Sequence, residues 1–300
     1  MKKKTYLFTL MAMALTLGSC SDNENGIGGE TSKYITVSTS IGNMTRVATD
    51  ANGGQTFEEG DEISVYAWTG APTVAPETRE RVVNNAINKL TNGSWVSTPQ
   101  MLWKNNRDKH YFIGVYPISA ISDLTAGEYT FDVNKQTESD LLVAVNPDGL
   151  SYSADAQQTV PLTFTHVMAK LAVKLTYKNQ WGGIPTVEKV VVGNAAKEAT
   201  VNYLTKVVTP STTAKEDFSL PEITENTKYV SVIIPQEEVK QLTIVIGGKN
   251  FVYDNGTPFK LESGKITTVN LEVGRDEIKL GDVKITDWEN GSTFSGEALN

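Results

Sequence analysis

Tyr34-Ile35-Thr36-Val37-Ser38-Thr39-Ser40-Ile41 is the stretch on which the fold class turns. Side chains of an extended chain alternate faces, so Ile35, Val37, Thr39 and Ile41 share one face and Thr36, Ser38 and Ser40 the other. A helix would need apolar residues three and four apart. The alternation returns at Ile63 and Val65, and at Phe112 and Gly114 against Ile113 and Val115. β-Branched and aromatic runs follow at 171–175, 187–192, 229–234, 242–246 and 266–273. Asn92-Gly93, Asp148-Gly149, Gly182-Gly183, Gly247-Gly248 and Asn255-Gly256 read as hairpin-type turns. One helix is expected, over 78–90, where Val82, Val83, Ala86, Ile87 and Leu90 make an apolar stripe that Asn84, Asn85 and Asn88 interrupt. Many short strands with little helix predict an all-β chain of β-sandwiches. A length of 300 residues suits about two domains. The boundary falls near 167, between Val160-Pro161-Leu162-Thr163-Phe164 and the run at 171–177, giving domains over 47–166 and 167–300.

The N-terminus reads as a signal peptide over 1–19. Lys2, Lys3 and Lys4 precede an apolar stretch of 12 residues, 6–17. That is short of the roughly 20 residues a membrane-spanning helix needs. It ends in Leu17-Gly18-Ser19-Cys20, which resembles the bacterial lipobox and implies cleavage before Cys20 and diacylation of its sulfur. Cys20 is the single cysteine, so no disulfide and no thiol nucleophile is available elsewhere. Loss of the three lysines takes the formal charge from −8 to −11. An acidic surface argues against nucleic acid and against docking on anionic lipid, so contact with a membrane would run through the acyl chains. Ser21-Asp22-Asn23-Glu24 resembles the acidic export tract of Bacteroidetes surface lipoproteins, which implies the outer face of the outer membrane; a solvated linker is the other reading. The stretch 20–46 is then a lipidated tether, flexible over 21–33, followed by a first strand.

Catalytic constellations are missing from the sequence. There are two histidines, His110 and His166, in different contexts. No Gly-x-Ser-x-Gly elbow, phosphate-binding glycine loop, His-Glu-x-x-His or cysteine-pair zinc spacing occurs. Gly26-Ile27-Gly28-Gly29 lies in the tether with no strand ahead of it. His166 is expected at a domain junction, bonded to a loop carbonyl. Asp132-Val133-Asn134-Lys135-Gln136 opens like a calcium loop, but Thr137 stands where that loop needs glycine. Trp68, Trp95, Trp103, Trp181 and Trp288 are scattered, as sugar-stacking residues often are and as core residues are more often. No cofactor, metal or catalytic residue is expected, and the chain is not read as an enzyme.

Several motifs together resemble one family. Phe57-Glu58-Glu59-Gly60-Asp61-Glu62-Ile63-Ser64-Val65-Tyr66 is similar to the F-x-x-G-D-x-I-x-V-Y opening of the Bacteroidetes fimbrillin superfamily. Trp103 with Tyr111-Phe112-Ile113-Gly114-Val115-Tyr116-Pro117 resembles its W…Y-F-x-x-Y-P strand, and Asp140-Leu141-Leu142-Val143-Ala144 its D-x-L-x-A strand. The segment from Leu162 through Phe164, His166, Ala169 and Lys170 to Leu171 resembles its L-x-F-x-H-x-x-A-K-L junction, and Ile285-Thr286-Asp287-Trp288 its closing I-x-x-W. The resemblance implies two tandem transthyretin-like β-sandwich domains and a subunit of a type V pilus that supports adhesion. It implies a lipoprotein precursor in which a trypsin-like maturation protease cuts after an arginine and removes the first strand. A donor strand from the C-terminal tail of another copy, or of a related subunit, then fills the groove. Arg46, before Val47, is the only Arg or Lys between Lys33 and Arg79, and would be the cleaved residue; a solvated loop arginine is the alternative. The tail carries Ile278 and Leu280, then Val283 and Ile285, as candidate donor residues; an edge strand closing its own sheet is the alternative. Implied partners are other subunits, the outer membrane through lipid, the protease, and a host or bacterial surface receptor. The rival function is a monomeric surface lipoprotein that binds glycans.

Overall fold

A computed structural model of the chain describes residues 33–42, 57–153 and 158–288. Among them are nineteen strands and two single-turn 3-10 helices. The first half carries β1 (Thr36–Ile41), β2 (Glu62–Thr69), β3 (Val83–Thr91), β4 (Ser94–Thr98), β5 (Lys109–Tyr116), β6 (Gly127–Thr130), β7 (Leu142–Ser151) and β8 (Thr159–His166). Next come β9 (Ala169–Tyr177), β10 (Val187–Ala196), β11 (Glu198–Asn202), β12 (Val207–Pro210) and β13 (Lys215–Ser219). Last are β14 (Glu222–Thr224), β15 (Lys228–Ile233), β16 (Gln241–Ile246), β17 (Lys249–Asp254), β18 (Lys265–Val273) and β19 (Ile278–Asp287). The fold is all-β, with its sheets packed in a sandwich-like arrangement.

A seven-stranded sheet runs β1-β8-β7-β5-β2-β3-β4. After Val167-Met168 the chain enters a five-stranded sheet, β14-β15-β9-β18-β19, and a four-stranded sheet, β13-β10-β16-β17. A three-stranded sheet, β12-β11-β6, takes β6 from the first half and pairs it with β11 of the second, from Glu198↔Thr130 to Val201↔Gly127. Gly127 permits that approach, since a Cβ there would lie 2.5 Å from the Tyr203 ring. One apolar cluster runs from Tyr66, Trp68 and Val115 through Met168 to Val192, Val232 and Leu271. A second lies under β1, with Ile63, Val65, Phe112, Leu162 and Phe164.

Four local expectations are overturned, two of them at Gly182-Gly183 and Asn255-Gly256, which connect strands of different sheets, β9 to β10 and β17 to β18, and so turn no hairpin. Residues 78–90 do not form a helix: Thr78–Glu80 is a 3-10 turn, and β3 follows. Asn85 sits at φ 55°, and the β2–β3 register shifts beside it. That extra residue changes the phase of the alternation, so Val83 and Ala86, three apart, are both buried while belonging to a strand. Asp148-Gly149 is likewise no hairpin turn. It lies within β7, where the pairing with β5 jumps from His110↔Leu150 to Phe112↔Asn146, and Asn146 Oδ1 accepts the Gly149 amide at 2.8 Å. Asn92-Gly93 and Gly247-Gly248 do join hairpins, β3–β4 and β16–β17, with φ positive at both residues of each, as the type I′ turn requires.

Candidate functional site

β1 lies at the edge of the seven-stranded sheet, paired in parallel with β8 through six consecutive residues, from Thr36↔Thr159 to Ile41↔Phe164. Its inward residues Ile35, Val37 and Ile41 are buried in the second cluster, and Thr39 Oγ1 accepts from Trp95 Nε1 at 3.0 Å. Among the described residues, the backbone hydrogen bonds on the other flank lie near its start: Ile35 N donates to Met101 O at 2.9 Å, and Trp103 N to Lys33 O at 3.2 Å. Phe57 packs edge-on against Trp95, Tyr116 and Phe164, at 5.3, 5.4 and 5.1 Å between ring centres. β1 thus fills an apolar groove. Each fully buried Val or Ile contributes about 1.5–3 kcal/mol. Cys20, Arg46 and Val47 lie outside the described residues.

β19 is the edge of the five-stranded sheet and pairs antiparallel with β18 from Val273↔Ile278 to Lys265↔Asp287. The register breaks once: Leu271 opposes Leu280 and Asn270 opposes Asp282, so Gly281 is an extra residue on β19. This bulge rephases the strand. Ile278, Leu280, Val283 and Ile285 therefore all stand opposite buried residues of β18, namely Val273, Leu271, Val269 and Thr267. They share the core-side face despite the three-residue step between Leu280 and Val283. A Cβ at Gly281 would come within 3.2 Å of the Asn270 carbonyl. Leu280, Val283 and Ile285 remain 37–39% exposed. In this structure the tail closes its own sheet.

β19 leads directly into Trp288, which is 3% exposed. Its amide donates to Gly264 O at 2.9 Å. Its ring stacks on His166, 4.0 Å between centres and 9° between planes, and Lys170 Nζ lies 4.0 Å from the ring centre. His166 Nδ1 bonds to Asp140 Oδ1 at 2.8 Å, so its partner is a carboxylate and not the expected loop carbonyl. Its Nε2 is buried without a hydrogen bond. Burial pushes the Lys170 ammonium down to about 8, which the Asp140 charge only partly offsets. The junction and closing motifs of the sequence therefore meet in space.

The remaining candidate residues make contacts within the protein. His110 is fully buried; Nδ1 lies 3.1 Å from Asp108 O, and Nε2 accepts the Lys104 amide at 3.0 Å. Burial lowers its pKa, and that pairing suits a neutral ring with the proton on Nδ1. The oxygens of the calcium-like stretch bond within the protein: Asp132 Oδ1 accepts the Asn134 amide at 2.9 Å, and Gln136 Oε1 the Val232 amide at 2.7 Å. None of the five tryptophans is exposed; Trp68, Trp103 and Trp288 are buried. An open surface pocket of about 590 Å³ is lined by Pro76, Arg79, Arg81, Asp123 and Thr125 among others. The Arg81 guanidinium there is committed to Ile121 O at 2.7 Å and Ser122 O at 2.6 Å.

The family model described as fimbrillin-like matches residues 45–288, well over half of the chain. Solved structures share the fold. A candidate cell adhesion protein of Bacteroides uniformis is 17% identical, with 85% of this chain and 98% of that one covered at a TM-score of 0.64. A second, from Bacteroides ovatus, is 18% identical over the same shares, 85% and 98%, at 0.65. A fimbrial protein of Bacteroides vulgatus is 14% identical over 84% and 99%, at 0.52. Among curated proteins nothing matches the chain.

Proposed function

We propose, since the chain belongs to the fimbrillin-like family, that it is a structural, non-catalytic subunit of a type V surface pilus that supports cell adhesion. The observation that carries this reading is the attachment of β1. It fills an apolar groove, bonds to β8 by a single parallel ladder, and joins the rest of the chain only through residues 43–56. One cut in that stretch would leave β1 held by non-covalent contacts alone. Arg46 is its one basic residue. In this reading a trypsin-like protease cuts after Arg46, Val47 becomes the new N-terminus, and β1 departs. A tail strand of another copy, anchored by residues among Ile278, Leu280, Val283 and Ile285, enters in its place by β-augmentation. Before maturation, Cys20 carries the lipid that holds the precursor on the outer membrane. The mature chain consists of two tandem sandwiches, 47–166 and 167–300.

Protein sheared from cells should begin at Val47. Arg46→Ala should leave full-length precursor on the membrane and little polymer; a normal amount of polymer from that variant would remove the cleavage step. Fatty-acid labelling tests the anchor separately. Cys20→Ala should abolish labelling, and labelling at the wild-type level would exclude Cys20 as the lipidated residue.

A further inference from the structure

The groove and the tail have different periods. β1 meets β8 through six consecutive pairs with no register shift, so the positions it fills inside the sheet recur strictly at every second residue. The apolar residues of β19 step by two, three and two, and Gly281 absorbs the odd step only because the strand lies bulged on β18. In a straight groove the two pairs would point to opposite faces. One extended β19 therefore cannot place all four residues in the space β1 leaves.

We infer that the segment a second copy accepts is the half-strand after Gly281, residues 282–287, with Val283 and Ile285 as its two anchors, while Ile278 and Leu280 stay on β18 of the parent subunit. This rests on the donor-tail reading proposed above. The half-strand has six residues, as β1 has, and alternates without a break: Val283 and Ile285, then Asp287 at its end, on one face, and Asp282, Lys284 and Thr286 on the other. Its pairing with β18 is separate from that of the first half, because the ladder already breaks at Gly281. The first half follows directly from the turn after β18, whereas the second can swing away about Gly281 without disturbing it. Val283 and Ile285 are each 39% exposed in the parent subunit, so a deeper groove can bury more of them than β18 does.

The test compares the two halves in protein cut with trypsin after Arg46. Ile278→Thr and Leu280→Thr place a β-branched residue, which suits a strand, at positions that are partly exposed, so the strand should still form. Each should leave polymer, measured by gel filtration, within about twofold of wild type, because neither residue enters the groove. Val283→Asp and Ile285→Asp should each reduce polymer by more than about tenfold, because an unpaired carboxylate would be buried. Circular dichroism checks that each variant keeps its β signal. Loss of polymer from folded Ile278→Thr and Leu280→Thr, to the extent seen with Val283→Asp, would overturn the half-strand assignment and return the whole of β19 to the groove. A chain truncated before Asp276 that is folded and still forms wild-type polymer would instead remove the donor tail itself.

Discussion

Replacing Trp288 by alanine should destabilise the folded chain by about 3–5 kcal/mol, the range for emptying a buried tryptophan site. The side chain, one residue past the end of β19, is enclosed by the core: Trp288 is 3% exposed, whereas residues 279–287 are all exposed. The substitution removes the ring that lies against both His166 and Lys170 and leaves their apolar surroundings open to water. Urea unfolding should show the loss, and amide exchange should quicken first along the β18–β19 ladder at the end held by Lys265↔Asp287. A change under about 1 kcal/mol would mean that the ladder, and not the ring, holds the strand. The same contact would oppose the strand exchange proposed above, because a departing half-strand would have to draw Trp288 out with it. Partly exposed Val283 and Ile285 gain only part of a full burial each, so the groove must also satisfy the backbone ladder to balance the loss.

Lys170→Met should act in the opposite direction and stabilise the chain at pH 7, by about 1–3 kcal/mol. Lys170 is 2% exposed and its pKa is lowered to about 8, chiefly by burial, so its charge is carried at a net cost in the folded state. The sign follows from proton binding. Between pH 8 and about 10.5 the unfolded chain holds the lysine proton and the folded chain does not, so wild-type stability rises with pH through that window. The advantage of methionine should therefore be largest below pH 8 and fade towards pH 10.5. Unfolding free energies measured across this range check both sign and window. A destabilised variant at pH 7 would mean that the attraction of Asp140 and the Trp288 ring outweighs desolvation.

The alternation that marks β1 was legible because one of its faces is buried and the other is not, and a period of two is the imprint of that environment. β3 looks like a helix in the sequence for a related reason. The bulge at Asn85 inserts one residue, and a strand with one inserted residue carries apolar groups three and four apart, as a helix does. The pairing of β6 with β11 left no local trace, because it joins residues some seventy positions apart and β6 has only four residues. In the tail, both apolar pairs stood out in the sequence, and so did the Gly281-Asp282 step between them. What the step does became visible only once the partner strand was known, since a bulge is a relation between two strands. His166, Lys170 and Trp288 each belonged to a recognisable motif, but their stacking depends on a chain reversal of more than a hundred residues. The partner of His166, Asp140, was likewise beyond reach of local pattern.

The parallel pairing of β1 with β8 also orders events in time. Thr36 and Thr159 are 123 positions apart, and β8 itself reaches the sheet only through β7, β5 and β2. A ribosome releases β1 first among the described strands, yet its seat does not exist until β8 has been made and laid down. Contacts this distant in sequence are gained late, after the shorter loops have closed. Of the described strands the first to be made is therefore expected among the last to be placed, because its seat on the sheet needs β8 already in position.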